Sequence, residues 1–114
     1  MSTRSTTIVR SGDRQQRFFS RYDGYPSCLG KSLKRYLNKI KGWSIEKIAE
    51  KIASGVRDPK DGYMYKFSLD NEVHVCSEYV YIIDCDNETI VCYERNVAEP
   101  LERCCIPSRV RVIP

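Results

Sequence analysis

"EYVYIIDCDNETIVCYER", residues 78–95, decides the fold. Two runs rich in β-branched and aromatic residues flank Asp86-Asn87-Glu88, the pattern of two strands joined by a turn. In the first run Val80 and Ile82 alternate to one face, and Tyr79, Tyr81 and Ile83 to the other. Both faces are apolar, so the hairpin is expected in the middle of a sheet, under helices, and not at an edge. Pairing around the turn sets Ile83 opposite Cys92 and Cys85 opposite Ile90. Cys85 and Cys92 are then diagonal neighbours roughly 7 Å apart, too far for a bridge.

Upstream, "YMYKFSL" (63–69) alternates Tyr63, Tyr65, Phe67 and Leu69 against Met64, Lys66 and Ser68, which reads as another strand, with Asp70-Asn71 as a turn into "EVHVC". Before it lie two helical patterns. Ser27 is placed to cap a helix over 28–41 in which Leu29, Leu33, Leu37 and Ile40 recur at helical spacing, ending at Gly42. Ser44 is placed to cap a second over 45–54, with Ile45, Ile48, Ala49 and Ile52 as its apolar stripe, Trp43 positioned as a staple against Ile48, and Gly55 closing it. At the amino end "TTIVR" (6–10) and "QQRFFSRY" (15–22) flank the turn residues "SGDR", a further hairpin, and "DGYP" then forces the chain to bend. "RVRVI" (109–113) reads as an edge strand.

The fold class expected is α+β: an antiparallel sheet of five to seven strands with two consecutive helices packed on one face. Its 114 residues suit a single domain. Residues 1–26 form the hairpin and turn, 27–55 the two helices, 63–94 the antiparallel strands, and 95–114 a tail with the edge strand.

With 41% hydrophobic and 30% charged residues, the chain is too apolar for the disordered class. No apolar run approaches the roughly 18 residues of a membrane span, and "MSTRSTTIVRSGDR" has no signal-type hydrophobic core, so a cytoplasmic protein without membrane contact is expected. The six cysteines therefore read as free thiols, mostly buried. No Cys-x-x-Cys pair is present, and His74 and Cys76 lie far in sequence from Cys104 and Cys105, so no metal and no cofactor are expected. Asp84, Asp86 and Glu88 crowd a turn, where acids serve local hydrogen bonding. Without a supported nucleophile or carboxylate pair, the protein is read as a non-enzyme.

Charge is unevenly spread. Residues 1–41 carry ten Lys or Arg against two acids, and residues 42–114 carry nine against thirteen. A basic front can steer an anionic partner. "RYDGYPSCLGKSLKRYL" (21–37) lies there and superficially resembles a phosphate loop, but five residues separate Gly24 from Gly30 where that loop has four, and Pro26 lacks an N–H, so an NTPase is rejected. Two readings remain. In one, the amides of Cys28, Leu29 and Gly30 at a helix start hold a phosphate or carboxylate. The ligand-binding set is then Arg4, Arg17, Arg21, Asp23, Tyr25, Ser27, Gly30 and Lys31. In the other, Ser27 merely caps the helix and Asp23 stabilises the turn. The alternative partner is nucleic acid, met by Lys34, Arg35, Lys39 and Lys41, with Phe18, Phe19 and Tyr22 stacking bases.

Met1-Ser2-Thr3-Arg4-Ser5 before a strand, Arg21-Tyr22-Asp23-Gly24-Tyr25-Pro26 with Gly30 opening a helix, and Glu78-Tyr79-Val80-Tyr81 together resemble a group of short, functionally uncharacterised proteins of phages and bacterial mobile elements. The likeness spans roughly residues 1 to 95; "SCL" between Pro26 and Gly30, and the "CCIPSRVRVIP" tail, depart from it. It implies a phage-encoded binding protein, such as an inhibitor of a host defence system of anti-CRISPR type or a sponge for a nucleotide signal. The partners implied are a host protein complex or an anionic nucleotide, in the host cytoplasm.

Overall fold

The computed structural model describes residues 3–58, 62–70, 77–94 and 109–112. In chain order the described elements are β1 Ser5–Ser11, β2 Arg14–Ser20, a π-helical turn Pro26–Gly30, α1 Lys31–Lys39, α2 Ile45–Ser54, β3 Val56–Arg57, β4 Met64–Tyr65, β5 Ser68–Asp70, β6 Tyr79–Asp84, β7 Thr89–Glu94 and β8 Arg109–Val112. The class is α+β. Six strands form one sheet in the order β5-β2-β1-β6-β7-β8, and β3 pairs with β4 in a separate ribbon.

Both expected hairpins form. Ser11 faces Arg14 across a two-residue loop, which closes because Gly12 takes φ +56. In the β6–β7 hairpin the register differs from the expected one: Ile83 faces Ile90, and Tyr81 faces Cys92. The turn takes four residues, Cys85 to Glu88, because the Asp84 carboxylate accepts from the amides of Asp86 (3.0 Å) and Asn87 (3.3 Å) and from Asn87 Nδ2 (2.9 Å). Glu88, at φ +53, completes the reversal. Cys85 and Cys92 are free and buried, as expected of small apolar side chains.

The sheet is mixed, which corrects the expectation of an antiparallel one. β1 and β6 run parallel, Ser5 beside Tyr79 and Val9 beside Ile83. Each hairpin leaves the outer edge of both its strands open, and the long return through the helices brings β6 of the second hairpin alongside β1 of the first in the same direction. As in parallel sheets generally, the strands at this seam are covered on both faces. Val9, Phe18, Tyr81, Ile83, Ile90 and Cys92 share one face by register and belong to the core cluster, which also holds Leu29, Leu33, Leu37, Ile45, Ile48 and Ile52. On the other face Thr6, Ile8, Phe19 and Val80 are buried, and the Thr6 and Ser77 hydroxyls meet at 2.6 Å. β6 is interior to the sheet and β8 forms its edge, both as expected.

α2 matches its pattern residue for residue. Ser44 Oγ accepts from the Lys47 amide at 3.2 Å, and Gly55, at φ +100, ends the helix. Burying each of Ile48 and Ile52 contributes on the order of 1.5–3 kcal/mol. α1 begins at Lys31, not Cys28, because the preceding five residues wind as a wider turn. The single strand read over 63–69 is split: Tyr65 pairs with Val56 in the ribbon, whereas Leu69 pairs with Phe18 at the edge of the sheet. Of the expected Asp70-Asn71 turn, Asp70 is the last residue of β5, while Asn71, with His74, Cys76, Cys104 and Cys105, lies outside the described residues. No described helix is long and apolar enough to cross a membrane.

Candidate functional site

The turn before the first helix is held from three sides. Pro26 excludes helix from Tyr25, which is extended at φ −62 and ψ 147, and Asp23 takes φ +53. Gly24 donates to the Thr3 carbonyl at 3.0 Å, while its own carbonyl accepts from the buried Tyr81 hydroxyl at 2.6 Å. A Cβ at Gly24 would stand 2.8 Å from Ser5 Cβ and 2.9 Å from the Thr3 oxygen, so only glycine fits.

This bend aims the Asp23 and Tyr25 carbonyls over the following amides. Cys28 N–H donates to Tyr25 O (2.9 Å), Leu29 N–H to Asp23 O (3.2 Å) and Gly30 N–H to Tyr25 O (3.3 Å). All three amides expected to receive an anion are therefore engaged within the backbone, and Leu29 and Gly30 are buried. The amide cradle is not formed, and Ser27 makes no capping hydrogen bond; its exposed hydroxyl lies 3.9 Å from Cys28 Sγ. The expectation fails because the Asp23 and Tyr25 carbonyls of the preceding bend fold back over amides that a free helix start leaves open.

The other members of the predicted set are dispersed. Arg4 is half-buried, and its carbonyl accepts from the Glu78 amide at 2.9 Å. Arg17 is half-buried and donates to Gln15 Oε1 at 3.1 Å. Asp23 is half-buried, Tyr25 is exposed with its ring 5.9 Å from that of Tyr79, and Lys31 is exposed.

Arg21 lines a concave site. Directly after β2, Arg21 and Tyr22 form one wall of a groove of about 500 Å³, and Tyr63, Met64, Lys66 and Phe67, from β4 and its flanks, form the other. Tyr22 is 56% exposed and Tyr63 37%, so both rings present accessible faces. Tyr63 packs edge-on against Tyr65 at 4.8 Å, which fixes its plane. Burial, with the nearby Asp23 charge, pushes the Tyr63 phenol above its ordinary value and keeps it a donor. Alternation alone places Tyr63, Lys66 and Phe67 on a strand and says nothing of a groove. The interleaving of aromatic and basic residues in "YMYKF" is the signal in the sequence that could have found them. Phenol, guanidinium and ammonium groups suit this groove to hold a flat, anionic molecule.

On α1, Lys34 is half-buried, Lys39 is exposed, and Arg35 pairs with Asp58 at 3.6 Å; Lys41, exposed, lies beyond the end of the helix. Phe18 and Phe19 are 2% and 7% exposed and cannot stack bases, which leaves Tyr22 alone of the three aromatics named for that purpose. Among the described residues no group of three His, Cys, Asp or Glu side chains could hold a metal ion. No protein-family model, no curated protein and no solved structure matches the chain.

Proposed function

We propose that this is a non-enzymatic binding protein whose ligand is anionic and carries an aromatic ring, a nucleotide being the class that fits. The groove beside Arg21 and Tyr22 is its binding site. The observation that carries this reading is the combination of Tyr22, Tyr63 and Phe67 with Arg21 and Lys66 around about 500 Å³. That volume is within the roughly 300–1,000 Å³ of small-ligand pockets, where a few charged groups orient a stacked ring. The likeness of Met1–Ser5 and Arg21–Pro26 to phage proteins supports a phage-encoded antagonist of a host defence, acting in the host cytoplasm by capturing a nucleotide signal or occluding a protein complex. For the layering, we infer that both helices lie over the Val9–Tyr81 face of the sheet. The single apolar cluster shared by that face with Leu33, Leu37, Ile48 and Ile52 supports this.

The experiment is a thermal-shift panel of linear and cyclic mono- and dinucleotides. One of them is expected to raise the melting temperature saturably, and Tyr22→Ala with Tyr63→Ala is expected to abolish the rise. A flat response to every nucleotide overturns the reading. If instead a single-stranded oligonucleotide binds with steep salt dependence, the nucleic-acid alternative replaces it.

A further inference from the structure

The β3–β4 ribbon contributes to two hollows. Tyr63 and Met64 line the groove; Val56 and Arg57 line a second hollow of about 220 Å³. Four cationic side chains from three elements meet around this second one: Arg35 and Lys39 of α1, Lys51 of α2 and Arg57 of β3. Apolar packing does not require this, since the buried stripes of the helices use other positions, Leu33 and Leu37 on α1 and Ile48 and Ile52 on α2. Cations crowded against a low-dielectric wall repel one another and focus positive potential into the hollow.

The nearby acids only partly compensate. Asp58 lies 3.6 Å from Arg35 Nη1 and accepts from Ser32 Oγ at 3.1 Å, and Glu50 is close enough to act on the Tyr36 phenol. Among the described residues, Lys39 and Lys51 have no carboxylate within ion-pair distance. Lys51 Nζ stands 5.9 Å from the centre of the Tyr36 ring. Arg57 donates one bond to the Gly62 carbonyl at 2.8 Å. Arg35 Nη1 is ion-paired with Asp58 at 3.6 Å but makes no hydrogen bond. An oxyanion in the hollow would offset the repulsion among the cations that line it; a guanidinium fork matches phosphate geometry, and the two ammonium groups add point charges.

We propose that the hollow bounded by Arg35, Lys39, Lys51 and Arg57 is a phosphate-binding site, of a size for one or two linked phosphates. It stands apart from the aromatic groove and does not depend on that groove having a ligand.

Calorimetric titration of the full chain with inorganic pyrophosphate tests it. Saturable one-site binding is expected, weakened about tenfold or more in Lys39→Gln/Lys51→Gln. Lys41→Gln, exposed and outside the hollow, is expected to bind like wild type. Tyr63→Ala should also keep pyrophosphate binding, so failure of the groove and failure of this site are read separately. If the double variant melts lower than wild type without ligand, Lys39→Glu, a change at an exposed side chain, takes its place in the titration. Binding of a single-stranded oligonucleotide with the same dependence on Lys39 and Lys51 supports the phosphate site and assigns the phosphate to a backbone. No saturable binding of either probe overturns the proposal, as does equal loss in Lys41→Gln or no loss in the double variant.

Discussion

The Tyr81 hydroxyl donates to the Gly24 carbonyl at 2.6 Å, tying an interior strand of the sheet to the bend that precedes the first helix. Tyr81 is fully buried, and burial drives its phenol far above the ordinary range, so it remains a donor at any pH the fold survives. Tyr81→Phe leaves the Gly24 carbonyl without this partner and is expected to destabilise the protein by about 1–3 kcal/mol, read from urea unfolding. An unchanged urea midpoint would mean that the tie contributes nothing.

Two serines written alike in the sequence are expected to behave differently. Ser44 accepts from Lys47 N–H, whereas Ser27 caps nothing. Ser44→Ala should cost about 1 kcal/mol and Ser27→Ala close to zero. Equal losses in thermal or urea unfolding would contradict the π-helical turn.

Asp86 clasps the first hairpin, accepting from Ser11 Oγ at 2.7 Å and from the Gly12 amide at 2.8 Å. These bonds, the Ser11 one foremost, hold its carboxyl below the ordinary 3.8. A carboxylate whose folded pKa is depressed contributes stability that is complete above 3.8 and lost as pH falls through the lower folded value. Wild type should therefore exceed Asp86→Asn in urea midpoint at about pH 6, with the gap narrowing at about pH 2. A gap that stays constant on acidification would remove the clasp.

Tyr65 is 4% exposed, and burial raises its phenol from 10.0 to about 12. With the folded value above the unfolded one, its contribution is complete below pH 10 and declines as pH rises toward 12. In an absorbance titration, wild type is expected to show a phenolate step near that upper value which Tyr65→Phe lacks. Ionisation of Tyr65 at its ordinary value would show the β3–β4 ribbon to be open.

What the sequence disclosed follows from the range of the interactions involved. Gly12, Ser44, Gly55 and the alternation of Tyr79 to Ile83 act within a few residues of themselves, and both hairpins and α2 formed where their patterns placed them, although the register of the second hairpin differs from the expected one. The parallel pairing of Ser5 with Tyr79 joins distant segments and leaves no local mark. The alternation in "YMYKFSL" recurs every second residue whichever strand is the partner, so the change from Val56 to Phe18 between Tyr65 and Leu69 was invisible. At the site, Arg21 was legible as a basic residue beside a turn. The fate of the Cys28, Leu29 and Gly30 amides was not, because Asp23 and Tyr25 carbonyls claim them only once the chain adopts its π geometry.

The seam between β1 and β6 also shapes how the chain matures. A ribosome releases the first hairpin well before Tyr79–Asp84 emerges, so the hydrogen-bonding edge of Ser5–Arg10 waits without its native neighbour while the intervening chain is made. Closing so distant a pairing is slow. During that delay the waiting edge is open to chaperones or to strands of other nascent copies, and slower synthesis at reduced temperature should raise the soluble yield.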